Sequence, residues 1–524
     1  MLRRIRLDVP TLLSVLYTPL QPIVKRLHLD RRGTRRFVPA DINLPAGYAA
    51  EVVADGFTAP VHACFGPDGA AYVTECGHKS DLPPRVYRVD VSSGARELVV
   101  ELADRWTPTG AATGAAWLDG ALFVANTDSV LRVDPDGGDV TEVVTGLPGL
   151  GDHQTNHPVV GADGRLYWGQ GCVTNMGVVG ADNFGYEWLA TYPGTHEVPG
   201  ADIELVGRNY AVPNVLGNPL TSVESGAYVP FGTTTSAGQV VSGESKASGS
   251  VLSCLPDGSD LRVVAWGLRN PYGLAFAPDG RLYATEHGSD ERGARFIIGD
   301  LDDFYEITEG AWYGWPDFAS GIRLDDPHWG TGGQGREPVL AAFPDPDPPR
   351  PVASFETHAG ANGFDFSRDP TFGFTGHAFV ALFGDLAPLT TARQVVPAGF
   401  KVVRVDPDSG ALADFAVNRT QGPASKLFHG GFERPSHCVF GPDGSLYVVD
   451  FGEIKLAPEK GGIRMKQGTG ALWRIHRLSG VEAGAEPAPA RNVPFYPIQA
   501  AVVAGGVVAV IAGAVALLRR LLRR

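Results

Sequence analysis

Sulfur is scarce in this chain: 5 cysteines and 3 methionines in 524 residues. Cys64, Cys76, Cys172, Cys254 and Cys438 form no CxxC, CxxCH or zinc-ligand spacing, which excludes a zinc knuckle and a covalent c-type haem. Basic residues are also few in the middle of the chain. Residues 1–36 carry nine Lys/Arg and two Asp and the last six carry four Arg, leaving 44 − 13 = 31 basic against 58 − 2 = 56 acidic residues between them. A body near −25 repels phosphate backbones, so nucleic acid is excluded as its partner. Few long helices are expected either, because Gly 67 and Pro 41 make about a fifth of the chain. The length exceeds one small domain, so several domains or one large repetitive all-β architecture is implied.

One long apolar run is present. Ile498–Leu518, IQAAVVAGGVVAVIAGAVALL, is 21 residues without a charge, followed by Arg519, Arg520, Arg523 and Arg524. As a helix it would cross one bilayer core, of about 30 Å. The expected reading is a transmembrane helix over 497–518, a basic cytoplasmic tail over 519–524, and the acidic body outside the cytoplasm. Residues 478–496 read as the linker to this anchor. Residues 1–44 form a basic N-terminal arm in which Pro19 and Pro22 interrupt the apolar stretch. An uncleaved export signal, a membrane-surface arm and an ordered strap on the body all fit it.

The body, residues 45–477, repeats a short pattern of apolar strand, Asp-Gly turn and strand rich in Tyr, Val and Leu. It occurs as VHACFGPDGAAYVTE (61–75), TGAAWLDGALFVAN (113–126), HPVVGADGRLYWGQG (157–171), YGLAFAPDGRLYATEHG (272–288) and SHCVFGPDGSLYVVDFG (436–452), with a degenerate copy over 362–384. Asp-Gly between apolar runs is a strong hairpin signal, because glycine takes the positive φ that the reversal needs. Further strands such as RVYRVDVSSG and FKVVRVDPDSG follow most copies. Six repeated four-stranded units predict an all-β fold, a six-bladed β-propeller around a channel. Long insertions over 172–248 and 289–357 are expected as loops on one face.

Three strings are more specific. DHQTNHPVVGADGRLYWGQG, GLRNPYGLAFAPDGRLYATEHG and DDFYEITEGAWYGWPDF occur in this order, and their combination resembles the glucose/sorbosone dehydrogenases, soluble quinoproteins that use pyrroloquinoline quinone (PQQ). The resemblance covers roughly residues 45–477. It implies a quinone over the channel mouth and His153 as the base that takes the sugar hydroxyl proton. Adjacent Asp152 is the candidate to fix the tautomer of that imidazole, and nearby His157 reads as structural.

By the same resemblance Arg269 and Asn270 touch the reactive oxygens of the quinone, where a guanidinium stabilises developing negative charge. Calcium is the implied metal. Its candidate ligands are the main chain of Gly288 and Ser289, with Glu286, Asp302 and Asp303 beside or behind it. Trp312, Tyr313 and Trp315 are candidates to shelve the planar cofactor. Cys172 stands where relatives often carry Asp, and Ser289 where they carry Pro. The fifth repeat reads LFGDLAP, without the Arg-bearing segment that meets the quinone carboxylates, which leaves Lys401 and Arg393 as candidate cations.

The expected function is a membrane-anchored, PQQ- and calcium-dependent oxidoreductase acting on a sugar or related alcohol. No electron-transfer domain is recognisable, so a quinone or cytochrome acceptor outside the chain is expected. The alternative is a non-catalytic propeller whose loop-bearing face binds carbohydrate or protein.

Overall fold

The computed structural model describes residues 35–105, 110–330, 334–386, 397–427, 429–457, 462–484 and 486–490. Local turn chemistry builds its hairpins. Gly69, Gly164, Gly280 and Gly444 take φ between +73° and +92°. In each of these turns the preceding aspartate accepts the backbone N–H two residues on, as Asp68 does from Ala70 at 3.1 Å and Asp279 from Arg281 at 3.0 Å. Asp119 and Gly120 both have positive φ, 49° and 77°, and form the shortest of these reversals.

Such hairpins supply the first two strands of six antiparallel sheets, five of four strands and one of five. Blade 1 begins with Pro60–Phe65 and Ala71–Glu75, blade 2 with Ala112–Leu118 and Ala121–Asn126, and blade 3 with Val159–Val160 and Leu166–Gln170. Blade 4 begins with Pro271–Phe276 and Leu282–Glu286, blade 5 with Ala361–Phe366 and Ala378–Leu382, and blade 6 with Pro435–Phe440 and Leu446–Asp450. The expected six-bladed propeller is therefore the observed one. Apolar layers between neighbouring blades hold the ring. Between blades 6 and 1, for example, Phe57, Ala63, Val73, Val449 and Leu472 are fully buried.

Closure comes from the start of the chain. The fourth strand of blade 6 is Tyr48–Phe57, paired from Tyr48↔Arg477 to Phe57↔Gly470, so both ends of the body share one sheet. Ile42 and Asn43 add a fifth strand to blade 5 opposite Asn418 and Val417. Arg35 pairs with buried Asp450, and Phe37 packs edge-on against Trp473. Residues 35–44, expected in the arm, thus belong to the propeller. Tyr48 donates to the Phe372 carbonyl at 2.6 Å in the interior. Tyr48→Phe should lower unfolding free energy by about 1–2 kcal/mol in urea titration, because that carbonyl loses its partner.

The insertion over 172–248 lies between the second and third strands of blade 3, and carries two short helices, Ala181–Gly185 and Trp188–Thr191, with two small ribbons. The segment 289–357 holds the outer strands of blade 4 and its loops. Among the described residues no helix is long and apolar enough to cross a membrane. The expected span, 497–518, lies outside them, as do residues 1–34.

Candidate active site

In an antiparallel blade the entry to the first strand, the exit from the second and the entry to the third all lie on one face of the disc. That geometry gathers His153, before blade 3, and Arg269-Asn270, before blade 4. Cys172 and Asn175, leaving blade 3, join them, together with Glu286–Ser289 and Asp302 of blade 4. The approach is close: a Cβ added at Gly171 would stand 2.3 Å from His153 Cβ and 2.7 Å from Asn270 Oδ1. Only glycine fits between them.

His153 is partly exposed, and its Nδ1 lies 2.8 Å from the Cys172 carbonyl oxygen. A carbonyl only accepts, so Nδ1 carries the hydrogen and Nε2 presents its lone pair. Burial, then the Arg269 guanidinium, pushes the imidazole well below its ordinary pKa of 6.5. It is neutral at pH 7, as a proton acceptor must be.

Asp152 does not orient His153. Its carboxylate accepts from Arg292 at 2.7 Å, from Trp188 Nε1 at 2.7 Å and from Asn183. Arg292 also pairs with Asp182 and Asp290 and lies over the Tyr186 ring. A buried guanidinium needs such partners, and Asp152 is taken by that need. The Cys172 main chain fills the role expected of the acid.

Arg269 is 5% exposed and spans the two blades. It donates through Nη2 to Asn175 Oδ1 at 2.8 Å, through Nε to the Asn175 carbonyl and through Nη1 to the His287 carbonyl. Asn270 sits in a directed chain across blades 3, 4 and 5. Asn156 Nδ2 donates to Asn270 Oδ1 at 3.0 Å, Asn270 Nδ2 to His287 Nδ1 at 3.0 Å, and His287 Nε2 to Asn362 Oδ1 at 2.9 Å. Each amide or ring therefore has a fixed orientation. Asn156, Asn175, His287 and Asn362 were missed in the sequence reading, although His287 is the histidine of the EHG string.

The expected metal residues divide. Glu286 Oε1 accepts the backbone N–H groups of Arg269 and Asn270. Asp450 in blade 6 does the same for Glu433 and Arg434, and Glu75 in blade 1 for Thr58. One oxygen of Glu286 is thus a structural clamp repeated around the ring. Its other oxygen, Oε2, is buried without a partner. Burial pushes the Glu286 carboxyl up to about 8. Asp302 and Asp300 hold the backbone N–H groups of Gly288 and Ser289 at 2.9 and 2.6 Å. Asp302 also holds Ala361 N–H at 3.0 Å, which makes it a loop brace. Asp303 accepts from Ser354 at 2.6 Å and Ser320 at 2.7 Å, and this hydroxyl set removes it from the metal candidates.

Three further expectations need correction. Trp312 packs against Trp266, Phe318 and Phe343 in a buried apolar cluster that also contains Trp315. Tyr313 donates to the Glu306 carbonyl at 2.6 Å and lies edge-on to Tyr305. Burial of large aromatic area keeps these rings in the core rather than at the mouth. Lys401 pairs with Glu356 at 3.3 Å and Asp414 at 3.1 Å, so two carboxylates of blade 5 already neutralise it. Arg393 lies outside the described residues.

Residues 236–381 match the sequence model of the glucose/sorbosone dehydrogenase family. A 180-residue stretch is 26% identical to quinoprotein glucose dehydrogenase B of Acinetobacter calcoaceticus, covering 34% of this chain and 29% of that protein. The match thus spans less than a third of that relative. The fold is shared with the PQQ domain of pyranose dehydrogenase from Coprinopsis cinerea, at TM-score 0.51 and 16% identity, over 85% of this chain and 98% of that one. A family AA12 carbohydrate-active enzyme of Trichoderma reesei gives TM-score 0.51 at 14% identity, over 85% and 100% of the two chains.

Proposed function

We propose that the chain is an enzyme of the glucose/sorbosone dehydrogenase type, whose family model matches residues 236–381, and that it oxidises a hydroxyl-bearing carbon of an aldose or related sugar, with PQQ as electron acceptor and calcium beside it. The observation that carries this reading is the neutral His153, its Nε2 lone pair available next to Arg269 and Asn270. When bound, PQQ supplies an electrophilic acceptor for the hydride of the sugar, and calcium polarises that acceptor.

The residues present suit both groups on the reactive side. Glu286 Oε2 is a buried polar atom without a partner, and the braced Gly288–Ser289 main chain offers carbonyl oxygens of the type calcium takes. Glu286 with this loop would hold the metal. Arg269 gives three of its five N–H groups to hydrogen bonds within the protein and its Nη2 also stands 3.9 Å from Asp290 Oδ2, so the second Nη1 N–H is the donor for an oxygen that gains negative charge. His153 Nε2 receives the hydroxyl proton as the carbon gives up its hydride, so the sugar loses two electrons and two hydrogens. The cation for the quinone carboxylates is not Lys401. We assign that role to Arg393.

A pH profile reads the base directly. Protonated His153 cannot accept, and its pKa lies below 6.5. The expected kcat/KM is flat from about pH 8 down to about 6.5 and falls only in more acidic buffer. A limb centred at or above 6.5 would contradict a desolvated base. The proposal as a whole is tested by adding PQQ and calcium to purified protein, measuring bound quinone by dialysis, and following dye reduction with a panel of aldoses. Calcium-dependent binding with turnover is expected. Bound quinone without turnover, or no binding, would favour a sugar- or protein-binding propeller instead. In the same reading the apolar run 497–518 anchors the body outside the cytoplasm, and a membrane quinone or cytochrome removes the electrons.

A further inference from the structure

The innermost strands of the blades present one equivalent position to the channel axis. Pairing slips by one residue at the start of the strand in blades 1, 2, 4 and 6, between Pro60/His62, Ala112/Gly114, Pro271/Gly273 and Pro435/His437, and near Gly363 in blade 5. Aligned on this bulge and on the hairpin repeat, blades 1 to 6 read His62, Gly114, His157, Gly273, Gly363 and His437. Three blades thus present a large side chain at this position and three present none. Space demands it: a Cβ at Gly114 would stand 2.4 Å from His62 Cγ and 2.6 Å from His157 Cβ, and one at Gly363 2.0 Å from His437 Cδ2.

The three imidazoles meet on the axis. They are 4%, 1% and 4% exposed for His62, His157 and His437, and their ligand nitrogens lie within 4.8 Å of one another. His157 Nε2 and His437 Nδ1 are buried with no hydrogen-bond partner. The His62 ring has one long contact, 3.4 Å from the Ala115 N–H to Nδ1. Packing alone would be met by apolar side chains, which leave no orphaned nitrogen. Three converging imidazoles without a carboxylate are instead a donor set for a borderline divalent transition metal rather than calcium.

We propose that His62, His157 and His437 form a binding site for a divalent first-row transition metal, zinc above all, inside the propeller channel. With Zn–N of about 2.0–2.1 Å a tetrahedral ion needs its nitrogens about 3.4 Å apart, so the rings draw together by about an ångström. The fourth position is left for a water. The ion links blades 1, 3 and 6, which are remote in sequence, and is separate from the calcium candidate at Gly288–Ser289. Its burial means that it enters as the chain folds.

The test uses the full chain produced in medium supplemented with Co2+ or Zn2+ and purified in excess Ca2+, so that any hard-ion site is filled. The expected result is one Co2+ per chain with the intense visible absorption of a four-coordinate ion, replaced by Zn2+ in protein produced with zinc. His157→Gln and His437→Gln should each lose the ion while retaining the β-rich circular dichroism. Should either variant fail to fold, X-ray absorption at the zinc edge of the unaltered protein counts the imidazoles, with three expected. Protein that carries neither ion, an octahedral Co2+ spectrum, or undiminished metal in folded Gln variants would overturn the site. None of these readouts depends on PQQ or sugar turnover, so failure here and failure of the proposed enzyme are distinguishable.

Discussion

His153→Ala is expected to lower kcat by about 10²–10⁴-fold, the usual contribution of a positioned general base. Quinone binding and unfolding midpoint should change little. The imidazole is held through Nδ1 alone, 2.8 Å from the Cys172 carbonyl and 3.5 Å from Cys172 Sγ, and it is partly exposed, so removing it leaves no buried charge behind. The acidic limb of the pH profile should disappear from the residual activity. An effect confined to KM would assign His153 to sugar binding instead, and a large loss of stability would make it structural.

Arg269→Lys is expected to cost about 10²–10³-fold in kcat, comparable to the loss of one donor to a developing oxyanion. Lysine keeps the charge but not the planar fork, and that fork is what reaches the Asn175 side chain, the Asn175 carbonyl and the His287 carbonyl together. The variant should therefore also loosen the loop of blade 3 against blade 4, seen as faster amide exchange around Asn175. Unchanged kcat with only a lower midpoint would show that Arg269 is a brace and no more. The double variant with His153→Ala should be less than additive if both groups act on the same step.

Turn chemistry made most of the architecture readable. Asp68-Gly69 and Asp279-Gly280 specify their reversal through a side-chain acceptor and a positive φ, both local in sequence. Closure of blade 6 was not readable, because Tyr48–Phe57 pairs with Gly470–Arg477 and no local signal reports so distant a partner. The site divides along the same line. His153, Arg269 and Asn270 lie in short strings beside strand ends, and strand geometry brings them together. Asp152 was misassigned because its partner, Arg292, is 140 residues away. Trp312 and Tyr313 show that an aromatic in a loop string carries no mark of whether it faces core or cofactor. Lys401 shows the same for a cation whose neutralising carboxylate, Glu356, is 45 residues distant. That one repeat position holds either His62, His157 and His437 or a glycine was visible in the aligned repeats, and only the bulge register gives it meaning.

The most direct measurement is an anaerobic single-turnover experiment on protein loaded with PQQ and calcium, following the absorbance of the bound quinone after mixing with an aldose either protiated or deuterated at C1. The account predicts an absorbance change that is slower with the deuterated sugar and is lost in His153→Ala carrying the same amount of quinone. Unaltered absorbance with every aldose tried, or an equal rate in His153→Ala, would contradict it.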